Sequence, residues 1–179
     1  MAAIWPSFIS GFVAYTSTNN ARSEDDTAKK IAQLYHASVQ TAMPILVPGA
    51  TPVGLTPGPI ESGFKASFKA AKSAGEAKPT PATWTPAAAG IVAYWVGKTF
   101  TPVPPPTWIS GTNNILFPGV PPPLASQIHT AFQAMAAPAV ASLLVAGFTT
   151  HLATISGLFV GPNATSLGAP IPFPWVGIA

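Results

Sequence analysis

Side chains able to carry catalysis or hold a metal are few in this chain and widely scattered. The three histidines, His36, His129 and His151, lie far apart and lack the short spacings of a metal-ligand set. There is no cysteine, which excludes thiolate metal sites and disulfides. Among the five carboxylates, Glu24, Asp25 and Asp26 stand where a helix N-terminus favours negative charge. Glu61 falls in the first turn of another helix, so both sets have a structural role before an acid–base one. No Gly-x-Ser-x-Gly elbow, phosphate-binding loop or dinucleotide fingerprint occurs. Asn163-Ala164-Thr165 matches a glycosylation acceptor, which matters only in a secretory setting. The inventory predicts no enzyme, no cofactor and no metal site.

What the chain has instead is an unusual distribution of charge. Only 7% of its 179 residues are Asp, Glu, Lys or Arg, against about a quarter in an ordinary soluble domain. All of them lie between Arg22 and Lys98, so the sequence from Thr99 to Ala179 is neutral apart from two histidines. The net charge of +3 comes from a small surplus of lysine. Lys65, Lys69 and Lys72 form a stripe at helical spacing, which reads as the wet face of an amphipathic helix and not as a phosphate-binding surface. No nucleic-acid partner is expected.

The elements that would carry these residues are set off by 22 prolines and 15 glycines. Residues 1–22 read as an extended arm with exposed aromatics. They lack the basic start and small-x-small end of a secretory signal, and none is expected. Residues 23–160 read as a helical domain. Its first helix is capped by Ser23 or Thr27, carries Ile31, Leu34, Tyr35 and Ser38 on one face, and ends near Met43. Pro59 opens a second helix, with Ile60, Phe64 and Phe68 buried. Thr85-Pro86 opens a third, with Ile91, Tyr94 and Trp95 on its apolar side. Residues 101–123 form a long proline-rich loop. A fourth helix carries Leu124, Ile128, Phe132 and Met135, and a fifth runs from Pro138 to Val160. Residues 161–179 read as an extended proline-rich arm. The expected fold is therefore all-α, a small bundle of about five helices with long Pro-rich loops and two extended arms.

A weak internal repeat crosses this plan. Leu46-Val47-Pro48-Gly49 leads to the helix of Ile60, Phe64 and Phe68, and Leu116-Phe117-Pro118-Gly119 leads to the helix of Leu124, Ile128 and Phe132. Duplicated helix–loop–helix units over 23–78 and 85–137 explain this no better and no worse than coincidence in a proline-rich chain.

Two environments account for the neutral half: a bilayer or protein neighbours. The segment 139–160 is long enough to span a membrane. It is nevertheless rich in small and hydroxylated residues, holds His151 near its middle, and lacks flanking Lys, Arg or aromatic belts. Its small face is Ser142, Ala146, Thr149, Ala153 and Ser156, and its bulky face is Val140, Leu144, Phe148, Leu152, Ile155 and Phe159. The remaining neutral residues are too polar and irregular for hydrocarbon, whereas interface cores are depleted in charge and enriched in aromatics. Membrane association is therefore not expected. Trp108, Phe117, Phe173 and Trp175, with Trp5, Phe8 and Phe12 on the first arm, are expected to be buried by other chains.

The terminal pair Ile4-Trp5-Pro6-Ser7-Phe8 and Pro172-Phe173-Pro174-Trp175-Val176-Gly177-Ile178, with the uncharged helical body between, resembles the small Ala/Pro/Gly/Thr-rich virion structural proteins of tailed bacteriophages. The resemblance covers the whole chain in style and supplies no motif, so no residue role follows from it. It implies a non-enzymatic, multi-copy virion subunit of the tail, baseplate or neck. Such a subunit would be assembled in the host cytoplasm and have other virion proteins and copies of itself as partners. The alternatives are a small membrane protein anchored by 139–160, and a capsid decoration or host-adhesion module.

Overall fold

The structure is a computed structural model that describes residues 3–18, 22–44, 50–75, 78–101, 112–161 and 171–179. Six helices dominate it: α1 (Trp5–Ser17), α2 (Glu24–Val39), α3 (Gly58–Ser73), α4 (Thr85–Trp95), α5 (Pro121–Gln133) and α6 (Ala137–Thr154). A five-stranded antiparallel sheet accompanies them: β1 (Thr51–Val53), β2 (Thr99–Thr101), β3 (Thr112–Phe117), β4 (Ser156–Gly161) and β5 (Ile171–Val176), in that spatial order. The fold is mostly helical, but it is not the all-α bundle that the sequence suggests.

Local chemistry sets most helix starts. Ser23 Oγ accepts from the Asp26 amide at 3.1 Å, and the Asp26 carboxylate accepts from the Ser23 amide, closing a capping box at the head of α2. Prolines occupy the first turns of α1, α3, α4, α5 and α6, where their missing N–H has no helical partner to lose. A short 3₁₀ turn, Pro81–Trp84, precedes α4.

Three expectations are corrected here. The stretch read as an N-terminal arm is α1: Pro6 lies in its first turn and does not break it, and the spacing of Phe8 and Phe12 puts both on one buried face. The last helix stops at Thr154, because Ile155 is extended (ψ 133°) and the chain continues as β4. The C-terminal stretch is β5, paired with β4 from Ser156↔Val176 to Gly161↔Ile171. Pro172 and Pro174 are two apart, so both ring nitrogens face away from β4 while the residues between keep the ladder.

The helices close into a ring. α1 packs on α2, α2 on α3, α3 on α4, α4 on α5, α5 on α6, and α6 returns to α1. The chain thus contains three helix pairs, α1–α2, α3–α4 and α5–α6, the second of each leading into strand structure. The inner helices bury matching positions: Tyr35, Ile91 and Phe148, then Ser38, Tyr94 and His151, then Val39, Trp95 and Leu152. Every set advances along the chain by the same two steps. The strands keep that register, since Pro52↔Phe100, Ile115↔Gly157 and Ile178↔Pro44 are the antiparallel bridges between successive units, the last joining third to first. Met43 and Ala179 reinforce that closure by exchanging two backbone hydrogen bonds of 3.0 Å. The repeat in the structure is therefore a helix pair with its strands, present three times. The units anticipated at 23–78 and 85–137 straddle its boundaries.

Aromatic side chains fill the axis of the ring. The Tyr35 ring meets Phe148 at 5.0 Å and Tyr94 at 5.4 Å, both edge to face, and its hydroxyl accepts from Trp95 Nε1 at 2.9 Å. Phe100 stacks on Trp95 and meets the Trp175 edge at 5.7 Å, which seats the sheet on the helices.

Candidate interaction surfaces

The residues that could do chemistry are dispersed by the fold. His36 Nδ1 lies 2.9 Å from the Tyr94 hydroxyl, and burial lowers its pKa. His129, on α5, is partnered by Gln133 at 2.9 Å. His151 is buried on α6 with Nε2 2.9 Å from the Pro118 carbonyl; burial pushes its pKa down to about 4, opposed in part by that hydrogen bond. With Nε2 donating to the carbonyl, the ring is neutral and Nδ1 is left buried without a partner. Burial also raises the pKa of Tyr35 and of Tyr94. Among the described residues, no three His, Asp or Glu side chains converge.

The lysine stripe does more than face water. Lys65 pairs with Glu61 at 2.9 Å and Asp25 at 3.7 Å, and Lys72 with Glu24 at 3.1 Å, so two of its three members tie α3 to the head of α2. The carboxylates of the first turn of α2 are thereby engaged, Asp26 by Ser23, whose hydrogen bonds lower its pKa.

The aromatics assigned to partner chains divide into groups. Phe8, Phe12 and Trp175 are buried by their own chain. Trp5 is half-buried against Tyr35 and Phe148, with centroids at 6.0 and 5.9 Å. Phe117 is 43% exposed. Phe173 lies in β5 opposite Phe159, its side chain outside the described residues, and Trp108 lies outside them altogether.

Three surfaces are built by this arrangement. The first is neutral and apolar, where unit two meets unit three: Phe117, Ser156 and Val176 form one cross-strand row, with Leu116 and Val120 beside Phe117 in sequence. Leu116 and Val176 are 67% and 63% exposed. The sequence stretch Leu116-Phe117-Pro118-Gly119 signals this surface only as a turn. The second is the outer face of α6, where the small residues Ser142, Ala146, Thr149 and Ala153 are exposed while Val140, Leu144, Phe148 and Leu152 fill the core. Between α5 and α6 it offers a shallow groove of about 230 Å³ lined by Ser126, Thr130, Leu143, Ala146 and Thr150. The third is a cleft of about 340 Å³ where the end of α1 meets α2, lined by Tyr15, Thr18, Arg22, Asp26, Lys29, Lys30 and Gln33. The Arg22 guanidinium lies over the Tyr15 ring at 4.4 Å and donates to the Thr18 carbonyl and hydroxyl.

The chain matches no protein-family model, no curated protein and no solved structure.

Proposed function

We propose that this chain is a non-enzymatic structural subunit of a multi-protein assembly, of the kind found in the tail, baseplate or neck of a tailed-phage virion. The observation that carries the reading is the neutral surface where the second unit meets the third and across the third. From Thr112 onward the described residues include no charged side chain, and they leave Leu116, Phe117, Val120, Leu143 and Val176 exposed. Large apolar side chains on an uncharged surface fit the chemistry of an interface core, where desolvation costs little. The edges of the sheet narrow the mode of contact. Pro52 in β1 and Pro172 and Pro174 in β5 have no N–H to offer a further strand, so packing by faces is favoured over strand addition.

Sedimentation velocity over a range of protein concentrations tests this, with self-association or co-sedimentation with purified particles as the expected result. A protein that remains a folded monomer at high concentration and is missing from purified particles overturns it. One observation favours a membrane reading: α6 has 18 residues with mean hydropathy 1.3. Its bulky face is already spent on the helix ring, so insertion would require the ring to open. Flotation with liposomes distinguishes the two readings.

A further inference from the structure

We propose that the cleft between the end of α1 and the first half of α2 is a docking site for an acidic segment of a partner protein. Three cations line it, Arg22, Lys29 and Lys30, against one carboxylate, Asp26, which is already held by both the amide and the hydroxyl of Ser23. Neither Lys29 nor Lys30 makes an ion pair among the described residues, whereas Lys65 and Lys72 do. Arg22 lies over the Tyr15 ring and donates to Thr18, which holds its guanidinium at the wall of the cleft.

The surroundings choose among anions. At about 340 Å³ the cleft exceeds a single small ion, and Thr18, Gln33 and Tyr15 add neutral donors and acceptors suited to a peptide backbone. A polynucleotide would need a longer cationic track and open stacking platforms, and the one aromatic here is covered by Arg22. An acidic segment has to come from another protein, because this chain has only one cluster of acids and it is engaged. In this chain Glu24, Asp25 and Glu61 are paired with lysines and Asp26 is a cap; the fifth acid, Glu76, lies outside the described residues and stands alone in sequence, and nothing beyond Lys98 is acidic, so the chain has no other acidic segment to offer. The threefold plan adds an independent argument. At the positions that match Lys29 and Lys30 the second unit has Thr85 and Pro86 and the third has Ser142 and Leu143, so these two lysines belong to the first unit alone, whereas Arg22 has Lys78 as its counterpart in the second.

The proposal rests on the assembly reading only for the origin of the segment. Its test titrates the full-length protein into a labelled hexaglutamate peptide, with a Gly-Ser peptide of equal length as control and inorganic phosphate and an oligothymidylate as competitors. The glutamate peptide should bind selectively and be released by about 0.5 M salt. Lys29→Gln and the double change Lys29→Glu with Lys30→Glu should weaken it, the latter by about tenfold or more, at an unchanged melting temperature. Lys69→Glu on α3 should have little effect. Equal binding of the Gly-Ser peptide, stronger binding of the oligothymidylate, displacement by dilute phosphate, or an equal loss with Lys69→Glu overturns the proposal. If the peptide fails to bind while self-association or co-sedimentation with particles persists, the cleft reading alone falls; if a strict monomer that is missing from purified particles binds it, the assembly reading alone falls.

Discussion

Gly63 and Gly90 cross backbone on backbone, so that a methyl group placed on Gly63 would lie 3.2 Å from the Gly90 Cα and against the Pro86 carbonyl. The corresponding crossings pair Gly11 with Leu34 and Gln127 with Gly147, so each helix pair carries at least one glycine at its closest approach. The contact at Gly63 is with rigid backbone, whereas the contact at Gly11 is with the end of a leucine side chain. Gly63→Ala is therefore expected to destabilise by about 2 kcal/mol or more through overpacking, and Gly11→Ala by less. Gly58→Ala, at a site open to solvent, should stay within about 0.5 kcal/mol of the parent. Urea unfolding of the three variants checks the order.

At the axis, Trp95→Phe keeps most of the ring volume and removes the Nε1 donor to the Tyr35 hydroxyl, leaving that hydroxyl buried without its partner. The expected loss is about 1–3 kcal/mol. Burial holds the Tyr35 and Tyr94 protons more tightly in the fold than in the unfolded chain. Their contribution is whole below pH 10 and is lost as pH rises above it, because only the unfolded chain then releases the proton. Alkaline difference absorbance should show these phenolates appearing together with loss of helical circular dichroism, not before it.

Much of the helical layer is legible in the sequence, for reasons visible in particular residues. Ser23 with Asp26, Pro59, and the stripe of Ile60 and Phe64 are local signals, and each appears where its chemistry puts it. What escapes is long-range. The strands are short, rich in proline and glycine, and lack the β-branched alternation that announces a strand, so β5 reads as an arm. Trp175 and Phe8 look as if they need a neighbour because the rings that meet them, Phe100 and Phe148, are far away in sequence. The signal of the repeat in the sequence is the pattern of α2, buried at Ala28, Ile31, Tyr35, Ser38 and Val39, which recurs in α4 and again in α6. On the functional side, Leu116 and Phe117 adjoin in sequence, while Val176 joins them only through strand register.

His151 should make the fold sensitive to acid. Its folded pKa, about 4, lies below the ordinary value of 6.5 because burial penalises the charged ring. The unfolded chain therefore takes up a proton that the folded chain refuses. Stability is whole above pH 6.5 and falls as pH drops toward 4, by about 3 kcal/mol at most for a shift of this size. His36, also lowered, acts in the same direction. His151→Gln retains a donor for the Pro118 carbonyl and cannot titrate, so its stability should vary less between pH 6.5 and 4 than that of the parent. Denaturant unfolding at several pH values measures the difference, and equal slopes would place the acid sensitivity elsewhere.

The neutral surface where the second unit meets the third offers the sharpest test of assembly, because its exposed side chains are not needed by the core. Phe117 and Val176 flank Ser156 on one row of the sheet, and Leu116 is exposed beside them. Replacing Leu116 and Val176 by Asp puts charge on that surface without entering the ring of helices, so the melting temperature should change little. Burying either carboxylate at a contact would cost several kcal/mol, so self-association or partner binding should fall by an order of magnitude or more. Changing Met135, fully exposed on the α5–α6 connection, to Asp serves as the control for added charge alone. If the double Asp variant and the Met135→Asp variant sediment like the parent at every concentration, the contacts of this protein are made elsewhere on its surface.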